Sequence, residues 1–345
     1  MTDPANPLGL NGFEFVEFTS PNPDAMARQF EQLGFVPTHR HLSKNITRYK
    51  QGRINLMLNR DADGRVAQFR NEHGASASAM AFRVADPRLA MRWALDHGAQ
   101  PTIEDDTVIE GIGGSYLYFI QDGIDLYADW AEIPGWQEAE AQNNVGLDLL
   151  DHLTHNVRRG QMRVWSDFYK TLFGFEEQKY FDIKGQATGL FSQAMIAPDK
   201  AIRIPLNESQ DDKSQIEEFL REYHGEGIQH LALTTDDIFD TVERLRARGV
   251  RLQDTIETYY ELVDKRVPGH GEDLERLRRN RILIDGNIGE EGILLQIFTE
   301  NMFGPIFFEI IQRKGNEGFG NGNFQALFES IELDQIRRGV IKVDA

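Results

Sequence analysis
The chain of 345 residues contains no cysteine. Disulfides, thiolate metal sites and cysteine nucleophiles are therefore excluded, and any metal it holds has oxygen and nitrogen ligands. Positive charge is scarce: 37 Lys and Arg against 55 Asp and Glu leave a net charge of −18. Such a balance disfavours nucleic acid and anionic membrane surfaces as partners. No apolar run approaches the length of a bilayer span. The opening MTDPANPLGLNGFEF lacks the basic head and apolar core of a secretory signal. No glycine-rich nucleotide motif or phosphate loop is present. These absences lead to the expectation of a cytoplasmic protein that binds neither nucleic acid nor membrane.

What is present is apolar bulk, with 40% hydrophobic residues and 22 phenylalanines. That is enough for two domains, each with its own core. A strand, a helix ending near glycine and further strands recur four times. The copies open at residues 13–18, 78–84, 149–157 and 227–234. Their helices are PDAMARQFEQLGF, DPRLAMRWALDHGA, MRVWSDFYKTLFGF and DDIFDTVERLRARGV, the last with Asp236 and Asp237 as helix-start residues. Returning strands are expected at 53–59, at 116–120 with 125–127, and at 201–207. This self-similarity predicts an α+β fold of βαβββ units, each unable to bury its sheet alone. The units pair into domains at 1–136 and 147–345, with a linker near 134–146; residues 263–281 read as an exposed, partly helical insertion.

Near the C-terminus, the runs 293–298 and 306–311 are rich in β-branched and aromatic residues, read as a strand pair, and carry one anomaly each. Gln296 interrupts the first. Glu309 interrupts the second, between Phe307, Phe308, Ile310 and Ile311. A lone carboxylate there is costly to desolvate unless something positive compensates it. Beyond it lie Gly315, Gly318, Gly320 and Gly322, then Phe324, Leu327, Phe328 and Ile331 at helical spacing. The pattern predicts a terminal helix with its apolar stripe turned inward. The glycines suit a hinge that lets this helix close or a fixed turn using positive φ angles.

The opening strands supply the missing partners. DHLTH in the third copy and IQHL in the fourth place His152 and His230 at related positions, where the first two copies have approximately Glu14 and Met80. When such units pair, their first strands lie close together, so the two histidines can converge and Glu309 can join them. Two histidines and one carboxylate with open positions are the ligand set of a non-haem Fe(II) oxygenase. The fourth position would fall in AIRIPLN, 201–207, which offers neither carboxylate nor histidine. Taken alone, a strand histidine is more often a hydrogen-bonded structural residue. His155 is read that way, and His39, His41, His73, His97, His224 and His270 as surface or loop residues. An ion pair with Arg203 or Arg313 is the alternative for Glu309.

DHLTHNV, FDIKG, IRIPLNE, GEGIQHLAL, LLQIFTE, FFEIIQRKG and GFGNGNFQALFESIE together resemble the bacterial 4-hydroxyphenylpyruvate dioxygenase family, densely through residues 145–341. The resemblance implies two open barrel-like domains of the vicinal oxygen chelate, or glyoxalase-like, fold, the second holding Fe(II) and closed by a gating C-terminal helix. It implies His152, His230 and Glu309 as metal ligands. It places Gln215, Gln229, Gln296 and Phe298 in the catalytic pocket, and Ser192, Asn207, Phe307, Phe319, Asn323 and Phe324 against the substrate. The implied partners are 4-hydroxyphenylpyruvate and O2, in a homo-oligomer, dimer or tetramer. The implied reaction is oxidative decarboxylation followed by ring hydroxylation and side-chain migration to homogentisate. Three other readings compete. They are 4-hydroxymandelate synthase, against which Phe298 and Pro205 favour ring attack; a non-catalytic binding or resistance protein of the same modules; and a Zn or Mn hydrolase or isomerase.

Overall fold
The computed structural model describes residues 5–102, 107–184, 189–320, 322–323 and 326. The first half contains β1 (Phe13–Thr19), α1 (Pro23–Gln32), β2 (Val36–Arg40), β3 (Ile46–Gln51), β4 (Ile54–Asn59) and α2 (Gly64–His73). It continues with β5 (Ser76–Val84), α3 (Pro87–Asp96), β6 (Val108–Glu110), β7 (Tyr116–Gln121) and β8 (Ala131–Glu132). After α4 (Trp136–Asn143), the second half runs β9 (Leu147–Val157), α5 (Met162–Phe173), β10 (Glu176–Lys184), β11 (Gly189–Ile196) and β12 (Arg203–Ser209). Then follow α6 (Gln215–Glu222), β13 (Gly227–Thr235), α7 (Ile238–Ala247), α8 (Glu257–Glu261), α9 (Val263–Arg266) and α10 (Leu274–Asn280). The strands β14 (Leu283–Asn287), β15 (Gly292–Phe298) and β16 (Phe307–Lys314) complete it.

Each half is one eight-stranded mixed sheet, ordered β6-β7-β5-β1-β4-β3-β2-β8 and β10-β11-β12-β9-β13-β16-β15-β14. The opening strands of the paired units, β1 with β5 and β9 with β13, lie antiparallel at the middle of each sheet. Within a unit the last strand returns parallel to the first, as β4 beside β1 and β16 beside β13. Helix ends follow local chemistry. Asp86 and Asp237 accept the first free amides of α3 and α7, and α5 ends at Gly174 with φ 70°, a left-handed cap that suits glycine.

Four expectations change. Residues 125–127 form a turn rather than a strand, because the Asp125 carboxylate accepts the Tyr127 amide and Tyr127 reaches Glu14. The insertion at 263–281 is not simply exposed: Val263, Val267, His270, Leu277 and Asn280 are buried. His73 is also buried, stacked on Tyr223 with Nδ1 2.7 Å from the Tyr223 carbonyl. Instead of separate cores, the largest apolar cluster runs through both halves. Phe18 and Phe30 of the first half meet Phe303 of the second, with ring centres 5.3 and 5.2 Å apart. Among the described residues, no helix is long and apolar enough to cross a membrane. The terminal helix and Phe324 lie outside the described residues.

Candidate metal centre
The centre is built on one cross-strand row. His152 on β9 lies opposite Ala232 on β13, and Ala232 lies opposite Glu309 on β16. Aligned residues share a face, so Ala232 is the small residue that lets the flanking side chains meet. Two positions back on β13, His230 joins from the same face, beside Phe307. Glu309 Oε2 lies 3.1 Å from His152 Nε2 and 3.5 Å from His230 Nε2. Among the described residues these three form the one group of His, Asp and Glu able to hold a metal ion, with ligand atoms within 4.8 Å of one another.

Two bulges orient the histidines. The β9–β13 register slips so that Gln229 is an extra residue on β13 and Asp151 an extra residue on β9. Each therefore sits beside its ligand and turns toward it, an aiming role that bulges often take near active sites. Asp151 Oδ2 lies 2.8 Å from His152 Nδ1, and Gln229 Oε1 lies 3.1 Å from His230 Nδ1. With each Nδ1 engaged by its outer partner, both Nε2 atoms point toward Glu309, where a bound metal would take the place of the Nε2 proton. Such outer partners fix the tautomer and ring orientation of metal-binding histidines. A divalent cation with borderline preferences fits this donor set.

The electrostatics agree. Burial opposes ionisation of Glu309, but the two histidines outweigh it and hold its carboxyl at about 2. Burial also opposes the charged form of His152, yet hydrogen bonds to Asp151 and Glu309 raise it overall. His230, with the neutral Gln229 behind it, is lowered by burial. Asp151 is buried too, and the hydrogen bonds of Arg313 and His152 overcome that burial and hold it well below the usual carboxylate range. Arg203 and Arg313 thus pair with Asp151 rather than with Glu309.

A cavity of about 290 Å³ opens from the centre. It is lined by His152, His230 and Glu309, by Ser192, Asn207, Gln215, Gln229 and Gln296, and by Phe298, Phe307, Phe319 and Asn323. Gln215 is exposed at the start of α6, whereas Gln229 and Gln296 are buried. Phe307 stacks on the His230 ring at 4.8 Å and Phe319 meets the His152 ring edge-on at 5.2 Å. Gln296 has a fixed polarity. Arg266, a donor only, reaches Asn323 Oδ1 at 3.4 Å, and Asn323 Nδ2 donates to Gln296 Oε1 at 3.2 Å. The Gln296 amino group is left as a donor.

Sequence reasoning missed Asp151, Tyr259 and Arg266. Asp151 directly precedes a histidine in a buried strand, which is a usable signal. Tyr259 reaches Asn323 at 2.6 Å from a segment whose placement no local pattern reveals. The glycines are explained by turns and close approach. Gly315 and Gly320 have φ 92° and 71°. A Cβ at Gly320 would come within 1.7 Å of Gln296 Oε1, and one at Gly322 within 2.0 Å of Asp285 Oδ1.

Among the described residues the first half has no such group of donors, and the register of its counterparts needs correcting. Counted back equally from the caps Asp86 and Asp237, Ala79 takes the place of His230 and Ala81 that of Ala232. Opposite Ala81 stand Phe15 and Tyr118. The counterparts are thus Phe15, Ala79 and Tyr118. Glu14 and Met80 are each one residue off: Met80 faces the other way, into the apolar core, and Glu14 is the extra residue of a bulge on β1, the counterpart of Asp151.

Comparisons with known proteins agree. Residues 5–131 match the family model "Hydroxyphenylpyruvate dioxygenase, HPPD, N-terminal", and 149–262 match the "Glyoxalase/Bleomycin resistance protein/Dioxygenase superfamily". The chain is 55% identical to 4-hydroxyphenylpyruvate dioxygenase of Pseudomonas aeruginosa, over 97% of each chain. It is 52% identical to hemolysin VllY of Vibrio vulnificus over 99% of each. Among solved structures, a mutant of 4-hydroxymandelate synthase from Streptomyces coelicolor superposes with a TM-score of 0.81 at 27% identity, covering 95% of this chain and 100% of that one.

Proposed function
This chain belongs to the 4-hydroxyphenylpyruvate dioxygenase family, and we propose that it converts 4-hydroxyphenylpyruvate and O2 to homogentisate and CO2. His152, His230 and Glu309 would hold Fe(II), which when bound supplies the redox chemistry that lets O2 react. The observation that carries this reading is the buried row of two imidazoles and one carboxylate facing a cavity, with no fourth protein ligand among the described residues. Three protein ligands leave positions for an α-keto acid and for O2. One oxygen atom enters the new carboxylate and the other the ring, while the old carboxylate leaves as CO2. The substrate supplies its own reducing equivalents.

The chain's residues bind, orient and exclude water. The Gln296 amino group donates to a substrate oxygen without adding charge, and Ser192, Asn207, Gln215 and Gln229 are further polar groups that line the cavity and suit a phenol or keto oxygen. Phe298, Phe307 and Phe319 wall the aromatic ring by edge and offset contacts. Phe298 lies opposite Glu309 on β15, so it presses on the ring from the ligand's own row. Together with Pro205, which lines the cavity, it favours attack on the ring over the benzylic carbon.

The test is oxygen uptake by protein loaded anaerobically with Fe(II), followed by product identification. Homogentisate is expected, in equal moles to O2 consumed. A 4-hydroxymandelate product would overturn the ring-attack assignment. Metal binding without oxygen uptake would overturn the dioxygenase reading.

A further inference from the structure
We propose that Arg313 is a positioning residue that couples the glycine-rich segment 315–320 to the metal-facing His152 through the Asp151 carboxylate. The inference rests on the metal reading above. Arg313 grips Asp151 with both tines of its fork, Nε to Oδ1 at 2.8 Å and Nη2 to Oδ2 at 2.7 Å. Its remaining nitrogen, Nη1, donates to the carbonyls of Asn316 and Gly318 at 2.9 and 2.6 Å. Arg203 repeats the arrangement: Nη1 lies 3.4 Å from Asp151 Oδ1, and Nη2 pairs with Glu317. Both arginines that hold Asp151 therefore also hold the segment.

The segment in turn touches the site twice. Phe319 lies edge-on against the His152 ring, and the backbone at Gly320 packs against the Gln296 carboxamide. Asp151 is buried and hydrogen-bonds His152 Nδ1. A planar guanidinium can satisfy two carboxylate oxygens and two carbonyls at once, whereas a lysine ammonium cannot reproduce the fork. If the segment lifts, Arg313 loses two acceptors and its fork is free to turn. Asp151 then loses its fixed geometry, and with it the His152 ring. Coupling of this kind is reciprocal. A metal that fixes His152 must stabilise the docked segment by the factor with which the docked segment tightens metal binding.

The experiment is hydrogen exchange read by mass spectrometry on the full chain, with and without Fe(II) under anaerobic conditions, beside a direct metal titration. In the native protein, Fe(II) is expected to slow exchange across 313–320. Arg313→Lys should lower metal affinity about tenfold, as outer partners of ligand histidines do. It should also abolish the metal-linked protection while exchange in α7 is unchanged. A role limited to charge balance would leave this variant like the native protein. Tyr169→Phe, a stability control remote from the segment, should keep the linked protection. If Arg313→Lys does not fold, Asp151→Asn carries the same test. Native affinity and native linked protection in either variant overturn the proposal. Native protein that binds Fe(II) without protecting 313–320 also overturns it, and leaves the metal reading intact. Native protein that binds no Fe(II) overturns the metal reading itself.

Discussion

His155 is three residues from a metal-facing histidine, yet it should act on stability alone, and through pH. It is fully buried on the opposite face of β9, with Nε2 2.7 Å from the Tyr169 hydroxyl. Burial pushes its imidazole down to about 3, against about 6.5 in an unfolded chain. A depressed histidine favours folding while both states are neutral. As pH falls below 6.5 the unfolded chain takes up a proton that the folded one refuses, so stability is lost. With these values the loss is about 2 kcal/mol at pH 5 and about 3 kcal/mol at pH 4. His155→Gln keeps a hydrogen-bonding partner for Tyr169 but cannot titrate. Urea unfolding of both proteins in chelator, at pH 7.5, 6 and 5, isolates the effect because other titrating groups cancel in the difference. The native protein should lose about 2 kcal/mol more than the variant between pH 7.5 and 5. Parallel curves would show that His155 is not the buried neutral group inferred. Loss of metal binding in the variant would move His155 into the metal centre.

Other perturbations probe the site directly. Ala232→Val puts two methyls between His152 and Glu309; metal stoichiometry should collapse at a stability cost of about 1–3 kcal/mol, measured by titration and unfolding. His152→Ala or His230→Ala should abolish metal binding, and retained stoichiometric binding would reject the ligand set. Phe298→Val should let the ring tilt and shift product from homogentisate toward 4-hydroxymandelate; an unchanged ratio at lower rate would make Phe298 plain packing. Truncation after Gly322 should leave metal binding intact but uncouple O2 consumption from homogentisate formation, and tight coupling would show that the terminal residues do not gate the site.

The grouping of these three side chains was legible because the repeat is visible and polar residues in buried strands stand out. His152, His230 and Glu309 could be aligned from strand order alone. The bulges could not. An extra residue at Asp151 or Gln229 changes which neighbours face the cavity, and nothing in the local sequence distinguishes it from regular alternation. The same limit explains the one-residue error at Glu14, itself the extra residue of a bulge on β1, and at Met80, where a strand's period of two makes a small register error a complete change of face. Arg266 and Tyr259 were opaque for another reason. They reach Asn323 across about sixty residues, and contact at that separation is a property of packing.

Why, among the described residues, only one of two similar sheets gathers side chains able to hold a metal follows from the cost of burying donors. In the second sheet each polar group of the row has a partner: Asp151 behind His152, Gln229 behind His230, and both imidazoles against Glu309. In the first sheet the same row is apolar, with the Phe15 and Tyr118 rings 5.6 Å apart across Ala81. One buried carboxylate remains nearby, Glu17. It accepts from Ser78 at 2.7 Å and Asn59 at 3.1 Å, and burial raises its pKa. Neutral donors satisfy it where a metal site would need imidazoles. Tyr127, reaching in from the 122–130 turn, packs with Phe15 and Ala81, donates to Glu14 and lies under Arg48 at 3.8 Å, so it fills the face that the second sheet keeps open. The first half still acts on the centre, through packing. Phe18 and Phe30 clasp Phe303, and Gln29 donates to the Met302 carbonyl at 2.8 Å. Residues 302 and 303 belong to the turn between β15 and β16, which sets Phe298 opposite Glu309. The first half thus steadies the strand pair that carries Glu309, which is reason enough for a shared core.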